Sequence, residues 1–177
     1  LPDVGPAARG RALVNLLQVE AEEKVAALLA VRDFGALEQA HLLFATRLGR
    51  VKRTPLAEYA NIRSTGLRAV VINDGDDLLS VHLTDGSGHV FMGTHLGMAI
   101  RFPETDVRPM GRVSAGVRGI HLRSDDWVEE VATFDAQETT DILVVTTLGF
   151  GKRTPADEFR VQQRGGYGVR LVKLTDK

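Results

Sequence analysis

A block of sequence recurs three times in this chain, and a period of several tens of residues marks arrays and propellers before any local reading is made. Leu42-Leu43-Phe44-Ala45-Thr46-Arg47-Leu48-Gly49 matches Val90-Phe91-Met92-Gly93-Thr94-His95-Leu96-Gly97, and both match Ile142-Leu143-Val144-Val145-Thr146-Thr147-Leu148-Gly149. Six residues past each final glycine stands a proline, Pro55, Pro103 and Pro155, and a second glycine follows at Gly66, Gly116 and Gly168. A half copy opens the chain, where Ala8-Arg9-Gly10-Arg11-Ala12-Leu13-Val14-Asn15-Leu16 aligns with Ser114-Ala115-Gly116-Val117-Arg118-Gly119-Ile120-His121-Leu122. The copies lie roughly 50 residues apart, the period of a four-stranded propeller blade.

Within a copy, short apolar and β-branched segments alternate with turn residues: Leu-Gly in the first hairpin, then Asn73-Asp74-Gly75-Asp76 or Arg123-Ser124-Asp125-Asp126 in the second. This predicts an all-β, propeller-like array, with strands of the first full copy near 41–46, 50–54, 67–72 and 78–83. One domain spans 1–177, with repeats at about 1–34, 41–86, 89–137 and 141–177, the first and last of them partial. Residues 20–31 (EAEEKVAALLAV) have helical propensity, yet their place in the repeat demands a turn and then a strand at about 25–31.

Composition narrows the function classes. Cysteine is absent, which removes disulfide frameworks, zinc ribbons and thiol catalysis and fits a reducing cytosol. No apolar run approaches the roughly 20 residues of a spanning helix, and no basic-then-apolar leader opens the sequence, so a soluble chain with no membrane partner is expected. The formal net charge is −1, so a nucleic-acid role has to rest on the distribution of charge.

The repeat sorts that charge. Arg53, Arg101 and Arg153 stand two residues before the prolines, with Lys52 and Lys152 preceding two of them. Arg68, Arg118 and Arg170 stand two residues after the second glycines, and Arg63, Arg108, Arg112, Arg160 and Arg164 lie in the linking segments. Acids concentrate at Asp74 to Asp77, Asp125, Asp126, Glu129, Glu130 and from Asp135 to Asp141. If successive blades place equivalent residues equivalently around a ring, the arginines form a basic band on the outer rim and the acidic turns face another side. Duplex DNA asks for such a band, because a bent, stiff polyanion must be neutralised at regular intervals with little reading of bases. Bending 20–30 base pairs by 40–90° costs on the order of 1–6 kcal/mol, which several Arg–phosphate contacts per blade could offset. The same arginines could instead be solvated edge charges that prevent aggregation.

Several runs resemble the C-terminal repeats of the DNA gyrase A protein: Gly10-Arg11-Ala12-Leu13-Val14-Asn15-Leu16-Leu17, Glu58-Tyr59-Ala60-Asn61-Ile62-Arg63, Gly75-Asp76-Asp77-Leu78-Leu79-Ser80-Val81, Met98-Ala99-Ile100-Arg101-Phe102, Asp106-Val107-Arg108-Pro109-Met110-Gly111 and Gly149-Phe150-Gly151-Lys152-Arg153-Thr154-Pro155. The resemblance implies a six-bladed β-pinwheel whose blades exchange strands and whose rim wraps duplex DNA, of which this chain covers roughly blades two to five. It further implies an ATP-driven enzyme that introduces negative supercoils in the bacterial cytoplasm, at the nucleoid. The partners implied are double-stranded DNA, the rest of gyrase A, and the gyrase B protein; ATP and Mg are used elsewhere, and this segment takes no cofactor. Gln162-Gln163-Arg164-Gly165-Gly166-Tyr167-Gly168 is similar to the family's wrapping box, with Tyr where Lys is expected; its glycines serve a tight turn or a DNA contact. Two other readings stay open: the corresponding domain of topoisomerase IV, and a propeller-like scaffold for protein interaction.

Catalytic chemistry finds no support in the sequence. Neither Tyr59 nor Tyr167 has the context of the family's DNA-cleaving tyrosine. Gly151-Lys152-Arg153-Thr154 lacks the leading glycine of a phosphate loop, and Arg153 occupies the place of its hydroxyl residue. His41, His82, His89, His95 and His121 lack metal-ligand spacing, and Asn73 to Asp77 lacks the twelve-residue calcium loop, so no metal site is expected. Trp127 is expected in the core.

Overall fold

The computed structural model describes residues 5–9, 25–31, 33–37, 39–61 and 66–174. Each sequence copy forms an antiparallel hairpin: β1 (His41–Thr46) with β2 (Arg50–Pro55). The second copy gives β4 (His89–Thr94) with β5 (Met98–Pro103), and the third β8 (Asp141–Val145) with β9 (Gly151–Pro155). The Thr-x-Leu-Gly signature explains itself in the turn between the two strands. Thr46 accepts the Gly49 N–H on its carbonyl (3.0 Å) and the Arg50 N–H on Oγ1 (3.1 Å). Thr94 does the same for Gly97 and Met98, and Thr146 for Gly149 and Phe150. The glycines take φ of +80°, +75° and +81°, a left-handed conformation that a side chain would strain.

The remaining strands are β3 (Leu78–Thr84), β6 (Val117–Arg118), β7 (Val128–Phe134) and β10 (Val169–Arg170). Hydrogen bonding orders them as β3-β1-β2-β6, β10-β5-β4-β7 and β8-β9. The first sheet therefore takes β6 from the second repeat, and the second sheet takes β10 from the third. This is the strand exchange expected of a β-pinwheel, and it ties each blade to the next. Gly116 and Gly168, both at φ +74°, sit where any Cβ would collide with the Val51 and Ala99 carbonyls of the hairpin they approach.

The expected strands at 67–72 and 25–31 are not formed. Residues 66–73 run without a ladder, and 25–31 are neither strand nor helix. Their repeat counterparts explain this: β6 and β10 pair with the hairpin of the preceding repeat, and β3 and β7 with a hairpin upstream of them. Residues 1–40 contain no copy of that hairpin to serve as partner. The opening half copy lies mostly outside the described residues.

The core forms between the first two sheets. Leu43, Ala45 and Val51 pack with Val90, Met92, Ile100, Phe102, Val128 and Val131, closed by Val107 and Ile120. Burial of each large side chain contributes roughly 1.5–3 kcal/mol. Strand β3 packs against β7 where the sheets approach each other. Strands β6 and β10 end the opposite edges of the two sheets.

Candidate nucleic-acid interface

The structure divides the expected basic band into an interior group and a peripheral group. Lys52 is 1% exposed and donates Nζ to the carbonyls of Ala69 (2.7 Å) and Arg112, with the ring of Phe44 5.3 Å from the ammonium. Burial, reinforced by the Arg112 charge, lowers its pKa to about 8. Arg53 is 7% exposed; its Nη1 donates to the Gly86 carbonyl at 2.9 Å and stands 4.0 Å from the Glu104 carboxylate. Arg101, 9% exposed, donates to the Ala156 carbonyl (2.8 Å) and to His89 Nδ1 (2.8 Å), and its guanidinium lies 5.5 Å from the Phe134 ring centroid.

These three placements correct the expected rim. The cause is the next repeat, whose linking segment lies over β2 and β5: Met110 N–H donates to the Arg53 carbonyl (2.7 Å) and Gln162 N–H to the Arg101 carbonyl (2.8 Å). Lys52 and Arg101 reach carbonyls of the following repeat, Arg112 and Ala156, while Arg53 bonds Gly86 of its own repeat and faces Glu104 of the next. A signal was present in the alignment: Lys52 corresponds to Ile100, a fully buried core residue. Arg153, the third equivalent, is 76% exposed and paired with Asp141 at 3.3 Å, because β8-β9 has no flanking strand among the described residues. Lys152 is exposed as well, beside a cavity of about 280 Å³ that Glu158, Arg160, Arg170 and Leu171 also line.

The peripheral group is Arg68, Arg118 and Arg170, all exposed, with Arg118 on β6 and Arg170 on β10 at the outer sheet edges. Arg108 and Arg160, equivalent in the repeat, are exposed just after the 3₁₀ turns that follow β5 and β9. Among the described residues, no ion pair joins any of these five to a carboxylate. Arg112 and Arg164 are half-buried; Arg164 donates Nε to the Asp106 carbonyl (2.9 Å) and Nη1 to the Arg118 carbonyl (3.0 Å). Arg63 lies outside the described residues. The Gln162–Gly168 run lies along the segment that follows β6, with Gly165 N–H donating to Gly119 (2.6 Å) and His121 N–H to Gly166 (2.8 Å). Tyr167 is exposed there, stacked on His121 at 4.2 Å.

Several further side chains differ from expectation or escaped it. Asp76 and Asp126, expected on a solvent-facing acidic side, are buried. Asp76 Oδ1 accepts the N–H of Leu48 (2.8 Å) and Asp77 (2.9 Å), and Asp126 Oδ1 those of Leu96 (2.9 Å) and Trp127 (3.0 Å). Each acid thus holds a hairpin turn of its own blade. Trp127 is half-buried at that same end rather than in the core, between the His95 ring (3.8 Å between centroids) and the Arg47 guanidinium (5.0 Å). Glu104 is a buried carboxyl that the repeat conceals, since Leu56 and Ala156 occupy its equivalents. Burial raises its pKa, against the Thr84 hydrogen bond and the Arg53 charge.

Comparison with known proteins follows the same repeats. The family model described as "DNA gyrase C-terminal domain, beta-propeller" matches residues 40–85, 88–135 and 140–177. The DNA gyrase A protein of Salmonella typhimurium is 44% identical over the whole chain, and that of Staphylococcus epidermidis 36%, the chain spanning 20% of each relative. A solved C-terminal domain of DNA topoisomerase IV superimposes with a TM-score of 0.87 at 30% identity, covering 96% of this chain and 52% of that one. A solved gyrase A C-terminal domain, 24% identical, shares the fold with a TM-score of 0.77 over 91% of this chain and 52% of that one.

Proposed function

The chain belongs to the DNA gyrase C-terminal domain family, and from that premise we propose that it binds and bends duplex DNA along its peripheral edge without reading sequence. The observation that carries this is the pair Arg118 and Arg170: equivalent residues of successive repeats, on the outer strands, exposed and without carboxylate partners among the described residues. Arg68, Arg108 and Arg160 extend the same set of exposed cations. A guanidinium so placed meets a phosphate at little desolvation cost, and repetition by blade matches the regular spacing of backbone charge. Lys52, Arg53 and Arg101 support the surface from within.

In the whole protein this edge serves an ATP-driven gyrase that introduces negative supercoils, with the rest of gyrase A and the gyrase B protein as partners, in the bacterial cytoplasm. Nucleotide and Mg act elsewhere in that enzyme; this segment needs no cofactor. The corresponding role in topoisomerase IV is the second reading, favoured by the 0.87 TM-score, whereas the 44% identity to a gyrase A protein favours the first.

A topological assay tests the proposal. Relaxed circular DNA is incubated with the protein, treated with a relaxing topoisomerase, and stripped of protein. Wrapping leaves a shift in linking number that grows with protein and is lost in an Arg118→Ala/Arg170→Ala variant. An unchanged shift in that variant contradicts the proposed edge.

A further inference from the structure

The hairpin-turn end of the blades carries apolar side chains that neither the core nor DNA binding accounts for. Leu48, Leu96 and Leu148 are equivalent in the three repeats and are 49%, 44% and 68% exposed. Turn positions ordinarily take polar residues, so leucine recurring at one solvent-facing turn is costly unless something covers it. Their backbones are fixed: the Leu48 and Leu96 N–H groups donate to the buried Asp76 and Asp126. The side chains are thus presented outward by a rigid turn.

Two of these turns are joined across blades. Arg47, next to Leu48, accepts the Val128 N–H on its carbonyl (2.8 Å) and lays its guanidinium over Trp127. Trp127 stacks on His95, next to Leu96, and Glu129 Oε1 accepts from Trp127 Nε1 (2.9 Å) and bonds His95 Nδ1 (2.7 Å). Leu48, Arg47, Trp127, His95 and Leu96 form one preorganised strip with few side-chain rotors left to freeze, the composition and rigidity of a binding hot spot. Asp74, Asp77, Asp125 and Glu129 are exposed in the turns beside the strip and within it, with Arg123 also exposed and Arg50 committed to the Ala115 and Gly116 carbonyls. These carboxylates favour a cationic partner over a polyanion.

We infer that this strip is a docking surface for a protein segment bearing leucine-sized apolar side chains among lysines or arginines. The apolar side chains cover Leu48 and Leu96, and the cations meet the bordering carboxylates. The inference is independent of the DNA reading; the strip adjoins the arginines of β6 and β10, since Arg118 pairs with Arg50 and Arg170 with Met98.

Trp127 is the only tryptophan of the 177 residues, so its fluorescence reports on the strip directly. The probe is a synthetic amphipathic helix of leucine and lysine, titrated into the full chain, with a leucine–glutamate helix and a 40-base-pair duplex as comparisons. The expected result is a saturable Trp127 change with the lysine peptide alone, weakened at least tenfold in a Leu48→Ser/Leu96→Ser variant that still binds DNA like the parent. These positions are exposed, so the variant retains the fold. Equal peptide affinity in parent and variant, or quenching by the glutamate peptide, overturns the inference. A parent chain that binds the lysine peptide but no duplex overturns the DNA reading instead.

Discussion

Arg101 of the second repeat donates its Nη1 to the carbonyl of Ala156 in the third, at 2.8 Å, while its Nη2 meets His89 Nδ1 at the same distance. A residue whose charge suggested a phosphate contact is thereby committed to joining one repeat to the next.

Arg101→Ala is expected to lower stability by roughly 1–3 kcal/mol, because it strands the buried Ala156 carbonyl without a donor. Arg153→Ala, at the exposed equivalent paired only with Asp141, should change stability by less than about 1 kcal/mol. Urea unfolding of the two variants measures both, and equal losses contradict the structural role given to Arg101.

Lys52→Met removes the donor that β2 supplies to the Ala69 and Arg112 carbonyls and is expected to destabilise the protein near neutral pH. The pH dependence has a definite sign. The folded value of about 8 lies below the unfolded 10.5, so between those limits the unfolded chain binds more protons and stability rises with pH. Unfolding free energies at pH 7.5 and 9.5 should therefore rise more in the parent than in Lys52→Met. Parallel behaviour of the two counts against a buried, charge-penalised lysine.

His89 has its pKa lowered from 6.5 by burial and by Arg101, and its Nδ1 accepts a hydrogen bond only when unprotonated. Its folded value lies below its unfolded value, so its contribution is complete above about pH 6.5 and is lost as pH falls below that. His41 and His82 are lowered in the same direction. Melting at pH 7.5 and 5.5 should show a smaller acid loss in His89→Gln than in the parent; an identical loss assigns the effect to the other two.

Asp126→Ala leaves the N–H groups of Leu96 and Trp127 without their acceptor, at an expected cost of about 1–3 kcal/mol. Trp127 fluorescence should move to longer wavelength as the turn loosens. A stable variant with unchanged emission contradicts the clamp.

The hairpins were legible in the sequence because Thr, Leu and Gly recur with the hydrogen-bonding chemistry of one turn, and Thr46, Thr94 and Thr146 use it identically. Which arginines face solvent was not legible. A strand with one wet face alternates, but β2 reads buried at Val51, Lys52, Arg53 and Thr54 in succession, because it is interior to its sheet and covered by the next repeat. Recurrence therefore marked Arg53 and Arg118 alike, and only the exchanged strand separates them. The strands expected at 25–31 and 67–72 failed for a related reason, since their repeat counterparts pair with a hairpin that residues 1–40 do not contain. Trp127 misled because a lone aromatic in an apolar pattern reads as core, while its partners Arg47 and His95 come from two different turns.

The most direct measurement is the salt dependence of binding to a 40-base-pair duplex for the parent, for Arg118→Ala/Arg170→Ala and for Arg53→Ala/Arg101→Ala, all compared where each is folded. Each phosphate contact contributes about 0.9 to the slope of log K against log salt. The account predicts a slope shallower by about 2 for the Arg118/Arg170 pair and a parental slope for the Arg53/Arg101 pair. A shallower slope confined to the Arg53/Arg101 variant contradicts it and returns the phosphate contacts to the residues that the structure buries.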